Sequence, residues 1–290
     1  MEALQALIPV LLTVSLAGLV LAVGLNAARQ DLLYVLTRPR LLFRALASVL
    51  VIPPIVAGLV IAFLPIEPVA KAGIMLMAIS PVPPLVPGKE LGVGGRKNYA
   101  YGLYVAMALL TIVSVPLVLA ITTALFDRND HISVASIART TFLGVLLPLA
   151  AGLAIRAMAP EFAQRVWGLV YKISLILVLV AFLPIIVKVW PAIQQLIGNG
   201  TLLAMALVTL ICLAVGHTLG GPELRDRATL AVASSVRHPG IAMALASVNF
   251  DDPRVTAAVL LFMLVGLVVS IPYTMWVKRH QHPPSMAAHA

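Results

Sequence analysis

Apolar runs of about 20 residues, parted by short polar segments, recur along the whole chain. About 20 apolar residues of helix cross the hydrocarbon core of a bilayer. Counting on that basis predicts about nine spans. They fall at 4–25, 41–64, 69 into 80–88, 99–126, 140–155, 166–189, 201–219, 228–246 and 255–277. Pro53-Pro54 is expected to kink the second. Trp167 and Trp190 sit at the two ends of the sixth, where interfacial aromatics belong. The pattern continues from the first residues without a cationic leader, so the first run reads as a retained span.

Two runs are interrupted. The eighth holds Arg237, His238, Pro239 and Gly240 at its middle. Proline removes a helical hydrogen bond, and glycine lets the backbone leave helical geometry. An arginine at membrane depth costs about 2.5–3.5 kcal/mol on insertion scales, so it is kept from lipid. The third run carries Ser80, Pro81, Pro83, Pro84, Pro87 and Gly88, and four prolines in seven residues do not form continuous helix. Both therefore read as broken helices whose loose backbone faces protein or a cavity. Ser80 and Ser234 lie 154 residues apart, about half the chain. The two spans are an odd number of crossings apart and so run in opposite directions. This predicts an inverted-topology repeat with halves at about 1–130 and 131–280, the first lacking one helix at its start.

Composition agrees with this reading. The 290 residues are 61% hydrophobic and 11% charged, with a mean hydropathy of +1.04. Soluble domains are about 45–50% apolar and about 25% charged. The fold class is an all-α polytopic membrane protein, a single transmembrane domain over 1–280 followed by a disordered cytoplasmic tail, 281–290. The net charge of +9 does not point to nucleic acid, because Lys and Arg gather at the ends of apolar runs next to the bilayer surface. Loops after odd spans carry Arg29/Arg38/Arg40, Arg96/Lys97, Arg156/Arg165, Arg225/Arg227 and Lys278/Arg279. Loops after even spans are near neutral, with Glu67/Lys71, Asp127/Arg128/Asp130, Lys188 and Asp251/Asp252/Arg254. The positive-inside rule then places the N-terminus outside and the C-terminus in the cytoplasm of the cell membrane. The single cysteine, Cys212, excludes an internal disulfide and any cysteine-based metal cluster.

Two broken spans in a nine-span chain with this orientation resemble the bile acid:sodium symporter family. Three segments carry the resemblance. Ile79–Gly88, ISPVPPLVPG, sits where the family has a Ser-Pro-Gly-Gly-type break followed by Ser-Asn. Residues 99–120, with Ser114-Val115-Pro116, look like the span that follows it. Ser234–Ala246, SSVRHPGIAMALA, sits where the family has Glu-Thr-Gly-x-Gln-Asn-x-x-Leu-Ala. The resemblance implies a core in which the two broken helices cross, a panel of helices that rocks against it, and organic anions carried with sodium. The chain departs from the family at the cation positions. Its carboxylate falls at Ala233, its Gln at Arg237, its Asn at His238, and its Ser-Asn pair at Val86 and Pro87. A hard cation needs several oxygens. A fixed guanidinium supplies one positive charge in its place.

The function expected is secondary active transport of a small organic anion by alternating access, with sodium independence left open. An uncoupled facilitator or exporter on the same fold is the alternative. An intramembrane enzyme is disfavoured, as HExxH and GxSxG are both absent. No cofactor or metal site is expected, sodium remains conceivable through backbone oxygens, and oligomeric state is left undetermined. The candidate substrate residues are Arg237, His238, Ser234, Ser235, Ser80 and Ser114. The serines serve equally as helix caps, Arg237 as a donor to loose carbonyls, and His238 as a neutral donor or a proton acceptor. Pro81, Pro83, Pro84, Pro87, Gly88, Pro239 and Gly240 form the crossover hinges. Lys89 and Glu90 are candidates for a gate or for coupling, or else a solvated end.

Overall fold

A computed structural model of the chain describes residues 2–110 and 142–281. Among these the structure is helical, without strands. The elements are α1 (Glu2–Asn26), α2 (Arg29–Leu36), α3 (Pro39–Phe63), α4 (Pro68–Ile79), α5 (Val86–Gly92), α6 (97–110), α7 (Phe142–Met158) and α8 (Pro160–Leu196). They continue as α9 (Thr201–Leu219), α10 (Leu224–Ser235), α11 (Pro239–Asn249) and α12 (Arg254–Gln281). Four of them, α3, α8, α9 and α12, are long and apolar enough to cross a membrane. Residues Val10–Asn26 with α2, bent by 87°, make a fifth candidate. The chain is thus an all-helical, multi-pass membrane protein.

Local sequence explains most element ends. Prolines open α4 and α11, where the missing amide would have had no partner. Gly198, Asn199 and Gly200 all take positive φ (138°, 45° and 80°) and reverse the chain between α8 and α9. The Pro53-Pro54 pair does not break α3. The helix widens into a π-helical stretch, Ala47–Val51, whose next amide, Ile52, bonds back to the Ala47 carbonyl. The same device, Phe142–Leu146, precedes Pro148 in α7.

The sixth expected run, 166–189, is only the middle of α8. That helix has 37 residues, about 55 Å at 1.5 Å per residue, and continues past Trp167 and Trp190 with Pro184 and Pro191 inside it. The expected fourth run continues beyond residue 110, outside the described residues, as do 282–290 of the expected tail.

The helices pack in two groups. One contains α1, α7 and α8, with α1 lying along both of the others. The second contains α3, α4, α5 and α9–α12, with α9 against α10 and α4 against α12. Contact between α8 and α12 joins the groups. In the first group small residues set the spacing. A methyl group placed on Gly24 would lie 2.7 Å from the Leu149 carbonyl oxygen and 3.0 Å from the Gly152 Cα. Backbone meeting backbone leaves no side chain to give way.

Replacing Gly152 by alanine is therefore expected to cost about 1–3 kcal/mol through overpacking. The unfolding temperature in detergent should fall by about 2–4 °C for each kcal/mol. A thermal scan followed by tryptophan fluorescence checks this.

Candidate functional site

The centre of the second group is the meeting of two helix breaks. α4 stops at Ile79, and Ser80 leaves the helix in extended geometry (ψ 146°). The chain turns through residues 80–85 and re-enters helix at α5. α10 stops at Ser235, Val236 is extended, and His238 is the residue before α11. The breaks touch through one backbone hydrogen bond, the His238 amide donating to the Pro81 carbonyl at 3.0 Å. The half preceding each break packs on the half following the other, α4 on α11 and α10 on α5. The hinge residues Pro81, Pro83, Pro84, Pro87, Gly88, Pro239 and Gly240 all lie in or beside these two breaks. Gly88 is needed for close approach, because a methyl group there would come 2.6 Å from the Tyr171 hydroxyl on α8.

Arg237 and His238 serve opposite sides of their break, as successive residues of extended backbone do. Arg237 is 4% exposed. Its guanidinium donates to the Val49 carbonyl at 2.8 Å and to the Ser234 carbonyl at 2.6 Å. Val49 explains the first bond. The amides four and five residues on, which would serve its carbonyl in an α- or π-turn, belong to Pro53 and Pro54 and do not exist. The second bond satisfies a carbonyl at the open end of α10. Arg237 therefore closes two backbone deficits at membrane depth. Its Nε has no partner among the described residues.

His238 faces the other way. Its Nδ1 accepts the Ile241 amide at 3.3 Å, which caps α11 and leaves the second ring nitrogen as the N–H of the neutral imidazole. The ring lines a cavity of about 670 Å³ between the two helix groups. From the first group come Leu12, Thr13 and Leu16 of α1, Gly144 and Val145 of α7, and Pro184, Ile185, Lys188 and Val189 of α8. From the second come His238, Gly240, Ile241, Met243 and Ser247, with Pro253 and Thr256 near the start of α12. The wall is mostly apolar with a few polar groups, and its size lies within the range of about 300–1,000 Å³ typical of small-molecule sites. Lys188 lines this cavity although the sequence reading groups it with loop charges. The available signal was a lone cation inside an apolar run, between Pro184 and Pro191.

The profile of the Sodium Bile acid symporter family matches residues 13–196. The chain belongs to the sodium bile acid symporter family. No curated protein matches it. Members of this family are transporters, and the membership agrees with a chain that is not an enzyme.

The positions where the family holds a cation carry a different chemistry here. Ala233 is buried and has no oxygen in its side chain. The nearby hydroxyls are committed to helix carbonyls. Ser80 donates to Leu76 at 2.7 Å, Ser234 to Leu230 at 2.7 Å and Ser235 to Val232 at 3.2 Å. The Ser234 hydroxyl also meets that of Ser48 at 2.6 Å. None of the three lines the cavity. Ala233 thus offers no side-chain ligand, and Arg237 brings a fixed positive charge four residues further on. Ser114 lies outside the described residues.

Lys89 reaches Ser270 on α12 at 3.4 Å, and Glu90 is buried on α5. No salt bridge joins Glu90 to Arg237 among the described residues. At the end of the second group away from the cavity, Arg96 pairs with Asp226 at 2.8 Å and with Glu223. Asp226 also accepts the Tyr34 hydroxyl at 2.9 Å, tying α2 to the start of α10.

Arg237→Met should leave the Val49 and Ser234 carbonyls without these donors. Each hydrogen bond from a charged group is worth about 1.5–3 kcal/mol, so a clear loss of thermal stability in detergent is expected. Arg237→Lys should recover part of it.

Proposed function

We propose that the chain is a secondary active transporter that carries an organic anion through the cavity at the crossover by alternating access. The observation that supports this reading best is the cavity itself. It lies between the two helix groups, against a helix break, with Lys188 and His238 as its positive and hydrogen-bonding groups. A lysine ammonium is a point charge suited to a carboxylate or sulfonate head, and the apolar wall suits an organic body. His238 donates to the same head. In this reading Arg237 acts from behind the wall, holding the break in shape while adding positive potential.

The group of α1, α7 and α8 then moves against the group that holds the broken helices. In this reading the chain has nine spans in an inverted repeat, halves at about 1–130 and 131–280, with the cavity toward the outer side of the cell membrane and the C-terminus in the cytoplasm. Because the family's cation positions carry Ala233, Arg237 and His238, we propose that transport does not need sodium.

The test is uptake of labelled taurocholate, 2-oxoglutarate and acetate into proteoliposomes under a sodium gradient, a proton gradient, or neither. Sodium-independent accumulation of one of these anions is expected. Strict sodium dependence would refute the sodium part, and equilibration without accumulation would mean a facilitator. Lys188→Ala should raise the KM of the carried anion about 10- to 100-fold, the loss of one charge-assisted bond of about 1.5–3 kcal/mol. Unfolding temperature should stay unchanged.

A further inference from the structure

Glu90 carries a carboxyl group buried inside the protein. Its side chain is 1% exposed, and its Oε2 has no hydrogen-bond partner among the described residues. The cations on the surrounding elements are engaged elsewhere. Lys89 reaches Ser270, Arg96 is held by Asp226 and Glu223, Arg237 serves the Val49 and Ser234 carbonyls, and Lys97 stands over the Tyr101 ring. From α10, Asp226 is paired with Arg96 and Tyr34, and the Thr229 hydroxyl bonds to Arg225 and the Arg96 amide. From α6, the Tyr101 hydroxyl accepts from Asn26, while the buried Tyr99 hydroxyl has no partner among the described residues. From α8, the Tyr171 hydroxyl lies over Gly88.

An ionised carboxylate removed from water without a counter-charge is so costly that the group neutralises instead. A metal ion would need several oxygens around it, whereas one proton suffices. Buried acids in membrane transporters commonly belong to proton relays. α5 is also the half-helix that Tyr171 of the other helix group rests on, so separation of the groups there would admit water toward it.

We propose that Glu90 carries a proton in this conformation and is the proton-coupling site of the cycle, exchanging that proton when the helix groups part around α5. The coupling role rests on the transport reading above, whereas the protonation does not. Infrared spectroscopy of the full chain in liposomes tests the protonation with no substrate present. A neutral-carboxyl C=O band, sensitive to deuterium oxide, is expected in the wild type at neutral pH and absent from Glu90→Gln. A wild-type-minus-variant difference showing only ionised carboxylate overturns the proposal.

The second arm is uptake of the same three labelled anions under a proton gradient. Glu90→Gln should lose gradient-driven accumulation, falling to the level of empty liposomes, and keep exchange of that anion between equal pools. Undiminished accumulation in the variant overturns the coupling role. Failure of the wild type to move any of the three overturns the transport reading and the coupling role with it, and the infrared band still decides the protonation.

Discussion

A backbone that leaves helical geometry inside a membrane must find other partners for its amides and carbonyls, because lipid offers none. This protein has three such places close together: the break after α4, the break after α10, and the proline pair in α3. They satisfy one another. The His238 amide of one break donates to the Pro81 carbonyl of the other. Arg237 donates to the carbonyl that Pro53-Pro54 leave unserved and to the open end of α10. The break after α10 bonds to both of the others, so removing it would strand polar groups on each.

The cavity follows from that arrangement. Extended backbone throws consecutive side chains to opposite sides. With Arg237 committed to α3, His238 is turned toward α1 and α8, and Gly240 leaves room beside it. A methyl group at Gly240 would fall 2.9 Å from Leu16, so this space is shared tightly with α1. The polar groups that would bind an anion are thus presented by the break on one side and by Lys188 of α8 on the other. Relative motion of the two helix groups would change the distance between them, as the proposed alternating access requires.

Away from the cavity, contacts of other kinds tie the helices together. Asn26 at the end of α1 donates to Tyr101 on α6 at 2.7 Å, and Tyr171 of α8 rests over Gly88 of α5. These are narrow contacts, a single hydrogen bond and one phenol against a glycine. Within each group, by contrast, helices touch backbone to backbone, as at Gly24 and Gly152, or Gly216 on α9 against Ala231 of α10, where an added methyl group would come 2.5 Å from the Ala231 Cα. Residues of α1 and α8 (Leu19, Val178, Phe182) also share one apolar core with Ile74, Met77 and Leu260 of the second group, so movement of one group on the other would proceed by sliding along this packed interface.

The apolar runs, the two breaks and the family were legible in the sequence, because span length and the lost amide of proline act locally and need no knowledge of neighbours. The location of the breaks in the chain was legible for the same reason. The position of α8 past Trp190 was not, since a helix can extend beyond the bilayer for as long as its partners support it. Arg237 shows the limit most clearly. Its rarity at membrane depth marked it as important, but a guanidinium answers an anion and a stranded carbonyl with the same donors. Only packing against α3, where Pro53 and Pro54 had left Val49 unserved, assigned the long-range bond. Local chemistry fixed which backbone groups would need partners, and tertiary structure alone decided which partners they found.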